Sequence, residues 1–212
     1  MDSQELSLRQ EIIRVCRKLE SKGLIAASDG NVSCRAGDEC ILITPSGVSK
    51  GDMGPDEIAK TSMMGELVGG PIRPSSEIRM HLHVYRMRPD VFAVVHAHPP
   101  VATASTLAGF PLNSRVLPEV WLMLGKIPVA PYATPSTDEV PQSIDPYVGD
   151  SRAILLRRHG ALTFGAGLME AFMRMEKLEH FAKILFYASM LEGRKAPVAM
   201  MESEIAKLES LR

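Results

Sequence analysis

Two rhythms of apolar residues run along this chain. Near-helical spacing marks Leu6 to Lys22, with Leu8, Ile12, Ile13, Val15, Cys16 and Leu19 on one face and Gly23 as the stop. The same spacing predicts a long amphipathic helix from Leu168 to Glu192, carrying Phe172, Met175, Leu178, Phe181, Leu185 and Tyr187 and closed by Gly193. Shorter helices are predicted from Pro55 to Ala59, from Pro74 to about Met87, from Val101 to Ala108, over Leu117 to Leu124, and from Asp138 to Val148. Pro141 and Pro146 weaken the last of these. Short β-branched and apolar runs read as strands: Val32 to Arg35, Cys40 to Thr44, Val91 to Ala97, Ile127 to Ala130, and Ala153 to Leu156 with a continuation over Ala161 to Phe164. Strands with helices on both sides predict one three-layer α/β/α domain with a central β-sheet. It covers residues 1–212, with 196–212 as a C-terminal tail or helix.

Composition narrows the function. Twenty-four basic residues face 25 acidic ones, for a formal charge of −1. Interspersed charge of that balance gives no footprint for nucleic acid or an anionic membrane. A small anionic ligand needs only a local pocket. The start, Met1 to Glu5, lacks a secretory pattern, and no stretch reaches the roughly 18 apolar residues of a membrane span. Cys16, Cys34 and Cys40 are odd in number and form no Cys-x-x-Cys pair. Reduced thiols in the cytoplasm are the simplest reading.

The strand ending Val94-Val95-His96-Ala97-His98-Pro99-Pro100 carries the most chemistry. Alternate side chains on a strand share a face, so both imidazoles can aim at one point where the chain leaves the sheet. That is a grip for a divalent transition metal, which usually has a third protein ligand at a catalytic site. The alternative is two histidines capping a strand. His159 ends a second buried strand; parallel strands would bring both ends to one sheet edge. Glu77 opens a helix, where a carboxylate either complements the helix dipole or serves as a base. Ser75 and Ser76 before it, with the loops at Ser28 to Asn31 and at Ser46-Gly47, offer small polar groups that can hold a phosphate. His81 reads as a neighbour of the site and His83 as an exposed helix residue.

Read together, these motifs resemble the class II aldolase/adducin family from Gly23 to about Leu191. The markers appear in order: Asp29-Gly30-Asn31-Val32-Ser33, Ile43-Thr44-Pro45-Ser46-Gly47, Pro74-Ser75-Ser76-Glu77, Val94 to His98, Pro131-Tyr132-Ala133-Thr134-Pro135, and Arg158-His159-Gly160-Ala161. The resemblance implies Zn2+ on His96, His98 and His159, with Mn2+, Co2+ or Fe2+ as substitutes. It implies Glu77 as the catalytic acid/base and phosphate held by Asn31, Ser46, Gly47, Ser75 and Ser76, with Ser28 beside them. It also implies a homotetramer with sites at subunit interfaces.

The expected activity is that of a metal-dependent lyase. It would cleave a ketose 1-phosphate, of the fuculose or 5-deoxyribulose type, reversibly to dihydroxyacetone phosphate and a short aldehyde. The alternative is a dehydratase of methylthioribulose-phosphate type or a sugar-acid phosphate decarboxylase on the same scaffold. A non-catalytic adducin-like module comes third, since the full histidine and glutamate set argues for an enzyme. The family's aldolases present a tyrosine before the Pro-Tyr-Ala-Thr motif. Here that region reads Leu117-Pro118-Glu119-Val120-Trp121, without a tyrosine, and the candidates for proton donor to the aldehyde are Glu119, acting from a neighbouring subunit, and Tyr187.

Overall fold

A computed structural model describes residues 2–70, 73–191 and 197–210. The chain opens with α1 (Ser3–Ser21), whose first turn is capped by Asp2 accepting the Glu5 N–H at 2.7 Å. A meander of strands follows: β1 (Asn31–Arg35), β2 (Cys40–Ile43), β3 (Ala59–Ser62) and β4 (Leu67–Gly69). Then come α2 (Ile78–Met87), β5 (Ala93–Ala97), α3 (Pro100–Ala108), α4 (Pro118–Leu124) and β6 (Val129–Ala130). The chain continues through α5 (Glu139–Val148), β7 (Ala153–Leu156), β8 (Gly160–Gly165), α6 (Leu168–Leu191) and α7 (Glu202–Glu209). No described helix is long and apolar enough to cross a membrane.

Among the described residues, eight strands form one mixed sheet in the order β4-β3-β2-β1-β5-β8-β7-β6, flanked by the helices. All pairings are antiparallel except β6 with β7. This changes the expectation for the two histidine strands. β5 and β7 do run the same way, but β8 lies between them and is antiparallel to both. His159 reaches the β5 edge through the tight β7–β8 hairpin, in which Arg158 takes φ +60°.

Strand alternation splits the interior into two cores. Val32, Cys34, Leu42, Ala93, Val95, Ala97 and Leu155 pack with α1 and α6. Ile41, Ile43, Val94, Ile154, Leu162 and Phe164 pack with α2 and α5. The second face carries the chemistry, because Asn31, Ser33 and His96 point the same way as Val94.

Several local expectations change. The segment from Pro55 is a single 3-10 turn (Pro55–Glu57), and the region after it forms β3 and β4. The α2 helix begins at Ile78, which leaves Glu77 at the N-cap with no side-chain capping bond. His83 is half-buried rather than exposed and pairs with Asp145 at 2.9 Å. The predicted stop of the long helix at Gly193 lies outside the described residues.

Candidate metal and substrate site

Three local features aim the histidines. His96 is the penultimate residue of β5, fully buried, and its Nδ1 lies 3.0 Å from the Ala161 carbonyl across the β5–β8 ladder. A carbonyl only accepts, so Nδ1 carries the proton and Nε2 presents a lone pair to the site. His98 follows two residues on, with its Nδ1 3.2 Å from Asp29 Oδ2. A carboxylate behind an imidazole fixes the ring and leaves Nε2 free in the same way. His159 arrives from the hairpin. Gly160 beside it has to be glycine, since a Cβ there would press on the Ala97 carbonyl and the His98 ring. Gly30 is similarly constrained: it sits at φ +70° and a side chain would strike the His96 carbonyl.

The three histidines can together hold a metal ion, with ligand atoms within 4.8 Å of one another. The two Nε2 atoms of His96 and His98 stand 3.2 Å apart. Two lone pairs at that distance repel unless a cation lies between them. The spacing matches the nitrogen–nitrogen edge of roughly 3.3 Å expected for a tetrahedral ion with bonds of about 2.0–2.1 Å. Burial lowers the His159 pKa to about 4 against the pull of Glu77. Burial likewise lowers His98, opposed by Asp29 and Glu77. Both shifts favour the neutral, ligating form.

Glu77 closes the cluster. Its Oε2 is 3.0 Å from His96 Nε2 and accepts the Asn31 amide at 3.2 Å. Its Oε1 is 3.5 Å from His159 Nε2, buried, and without a hydrogen-bond partner. Burial pushes this carboxyl upward, but the Asn31 amide and any proton held among the neighbouring imidazoles outweigh it. The group is held well below the usual carboxylate range. A buried carboxylate with one open oxygen beside three imidazoles is a donor set that fits a divalent cation.

The cluster opens on a cavity of about 330 Å³. Ser28, Asn31, Ser46, Gly47, Ser75 and Ser76 all line it, with Glu77, His98 and His159. Two loops are tied together there: Ser46 N–H donates to Arg73 O and Ser75 N–H to Thr44 O, each at 3.1 Å. Glu119 and Tyr187 lie elsewhere. Glu119 is in the first turn of α4, and Tyr187 is an exposed residue of α6; neither borders this cavity. A larger cavity of about 640 Å³ lies along α1, α4 and α6, but its buried acid, Glu179, is already engaged by the Val101 and Ala102 amides at the start of α3.

Two cavity residues went unpredicted. Lys50 is 2 % exposed, and its ammonium donates to the carbonyls of Ser28 at 3.0 Å and Val48 at 2.6 Å. Burial lowers its pKa, partly offset by Cys16 and Asp29. It is the one Lys or Arg among the described residues lining the cavity. Ser136 donates to Ser76 Oγ at 2.9 Å from a left-handed backbone position, φ +65°. Nothing in the local sequence distinguishes either residue, because both are brought in by tertiary packing.

Comparison with known proteins corrects the expected reaction. Residues 10–186 match the family model described as Class II Aldolase and Adducin N-terminal domain. A 3-oxo-tetronate 4-phosphate decarboxylase of Escherichia coli (strain K12) is 34% identical over 210 residues, covering 97% of each chain. An L-fuculose phosphate aldolase of Methanococcus maripaludis is 32% identical over 182 residues, covering 86% of this chain and 98% of its own. The crystal structure of YgbL from Escherichia coli superposes with a TM-score of 0.88 at 32% identity, over 97% of this chain and 99% of that one. The full-length match to a decarboxylase overturns the reading as a ketose 1-phosphate aldolase. Both named activities break a carbon–carbon bond, so the expectation of a lyase stands. By its motifs, its sheet and its match over most of its length, the chain belongs to the class II aldolase/adducin family.

Proposed function

We propose that this protein is a metal-dependent lyase that decarboxylates a four-carbon 3-oxo sugar acid carrying a 4-phosphate. The full-length similarity to a decarboxylase of that substrate class carries the reading. The site is suited to it. In a 3-oxo acid the carbonyl lies β to the carboxylate. When the C1–C2 bond breaks, carbon dioxide leaves and the bond's electron pair enters C2–C3, giving an enediolate. Protonation at C2 then yields dihydroxyacetone phosphate. An aldolase acting on a ketose 1-phosphate passes through the same enediolate, which gives one scaffold a reason to host both reactions.

The roles follow the donor types. His96, His98 and His159 would hold the cation, with zinc the first choice for three imidazoles. When bound, it supplies Lewis-acid stabilisation of negative charge on oxygen. Glu77 delivers the proton. It is ionised in the free protein and gains a proton once a polyanionic substrate has entered beside it, because like charge raises a carboxyl pKa. Asn31, Ser46, Gly47, Ser75 and Ser76 receive the phosphate, and Lys50 supplies the positive charge the serines lack. Ser28 contributes through the carbonyl that orients Lys50. A cytoplasmic fourfold assembly belongs to the same reading, supported by the exposed Phe186, Tyr187 and Met190 on α6.

The test is incubation of metal-loaded protein with 3-oxo-tetronate 4-phosphate and, separately, with fuculose 1-phosphate. Carbon dioxide and dihydroxyacetone phosphate in equal amounts from the first, abolished by a chelator, is the expected result. Aldehyde release from the second with no decarboxylation of the first would sink the reading.

A further inference from the structure

Behind Glu77 lies a string of buried polar groups that the reaction above does not use. His81 on α2 is fully buried, and its Nε2 lies 2.5 Å from Asn31 Oδ1. Its Nδ1 lies 2.7 Å from Ser33 Oγ, and Ser33 Oγ lies 2.7 Å from the Tyr85 hydroxyl. The proton positions follow from the Asn31 end. Asn31 Nδ2 donates to Glu77 Oε2, which turns its Oδ1 to His81. His81 must then donate from Nε2, which makes Nδ1 an acceptor. Ser33 therefore donates to His81, and Tyr85 donates to Ser33. Every bond points toward the carboxylate.

We propose that His81, held as its Nε2–H tautomer by Ser33 and Tyr85, locks the Asn31 amide so that its NH2 group faces both Glu77 and the substrate phosphate. An amide is nearly the same shape either way round, so packing alone does not choose its orientation. With the other tautomer, His81 Nε2 would accept from Asn31. The amide would turn over and set its carbonyl against the Glu77 carboxylate. Burial takes His81 to a pKa of about 3 against the pull of Glu77, so the ring stays neutral. Burial also keeps the Tyr85 phenol protonated. His81 is thus a positioning residue for two groups at once. The phosphate half of this statement rests on the proposed function; the Glu77 half rests on the contacts alone.

Three measurements on the full chain test it: the 15N signals of His81, inorganic phosphate affinity, and turnover at verified metal content. His81→Gln can place an amide N–H where Nε2–H stood; His81→Asn reaches only the Nδ1 position. The expected results are an Nε2–H tautomer in the native protein and a roughly 100-fold loss of kcat in His81→Asn, the scale for misplaced catalytic groups. Phosphate binding should weaken in His81→Asn with metal retained, and His81→Gln should recover most of both losses. An Nδ1–H tautomer, full activity in His81→Asn, or equal losses in the two variants would overturn the lock. If His81→Asn does not fold, the native tautomer and His81→Gln still decide. If the native protein decarboxylates nothing, the proposed function fails, while the tautomer and phosphate affinity still judge the lock.

Discussion

The same strands build two unlike faces. Toward α1 and α6, β1 presents Val32 and Cys34 and β5 presents Ala93, Val95 and Ala97, all buried among apolar neighbours. Toward α2, the same strands present Asn31, Ser33 and His96. On the first face burial dominates the few polar atoms. It pushes Cys34 up to about 12, with Glu11 adding to and Arg9 opposing the shift, so the thiol is inert. On the second face the polar side chains of β1 and α2 are linked one to the next, from Tyr85 through Ser33, His81 and Asn31 to a carboxylate with one open oxygen. Buried polarity is tolerable when connected and costly when isolated. Stability and chemistry are therefore assigned to opposite sides of one sheet.

Substitutions on the two faces should separate those assignments. Ranked by effect on turnover, His159→Ala comes first: bound metal is lost, and activity falls on the order of 1,000-fold or more. Metal analysis beside the carbon dioxide assay checks both. Glu77→Gln should retain metal and lose roughly 100- to 10,000-fold in kcat, the range for general acid–base groups. Full turnover in that variant would remove Glu77 from the chemistry. Lys50→Met should act mainly on substrate binding. Losing one charge-assisted contact of about 2 kcal/mol raises KM roughly 30-fold. Isothermal titration with inorganic phosphate gives the same answer without the substrate. Phe181→Ala, fully buried on the α6 side, should leave kcat per folded molecule unchanged. It should lower the unfolding free energy by about 3–5 kcal/mol in a denaturant titration. A comparable loss of kcat there would show that the faces are not independent.

Much of this division was legible in the residues. The β5 run of small and β-branched residues, the His-x-His pair and the helix now seen as α6 follow directly from spacing. The meander beyond β2 did not. β3 reads Ala59-Lys60-Thr61-Ser62, without the apolar content that marks a strand, and β4, Leu67-Val68-Gly69, is apolar but too short to register as one. Their pairing supplies what the local sequence lacks. The string behind Glu77 did leave a signal. Glu77, His81 and Tyr85 stand four apart along the start and body of α2, which places polar groups on the helix face that packs on the sheet. Lys50 left none, since only the folded loops reveal that its ammonium is enclosed. The choice between decarboxylation and aldol cleavage was beyond the motifs, because relatives named for either activity match this chain along most of its length.

The β7–β8 hairpin has a consequence for how the protein acquires its structure. Pairing of β5 with β8 sets His96 opposite Leu162 and brings the hairpin histidine alongside. A slip of one residue in that ladder would turn each side chain to the wrong face and scatter the three imidazoles. An ion that binds only the assembled trio stabilises one register over every slipped one, by mass action. The cation would then also proofread strand alignment as the chain folds.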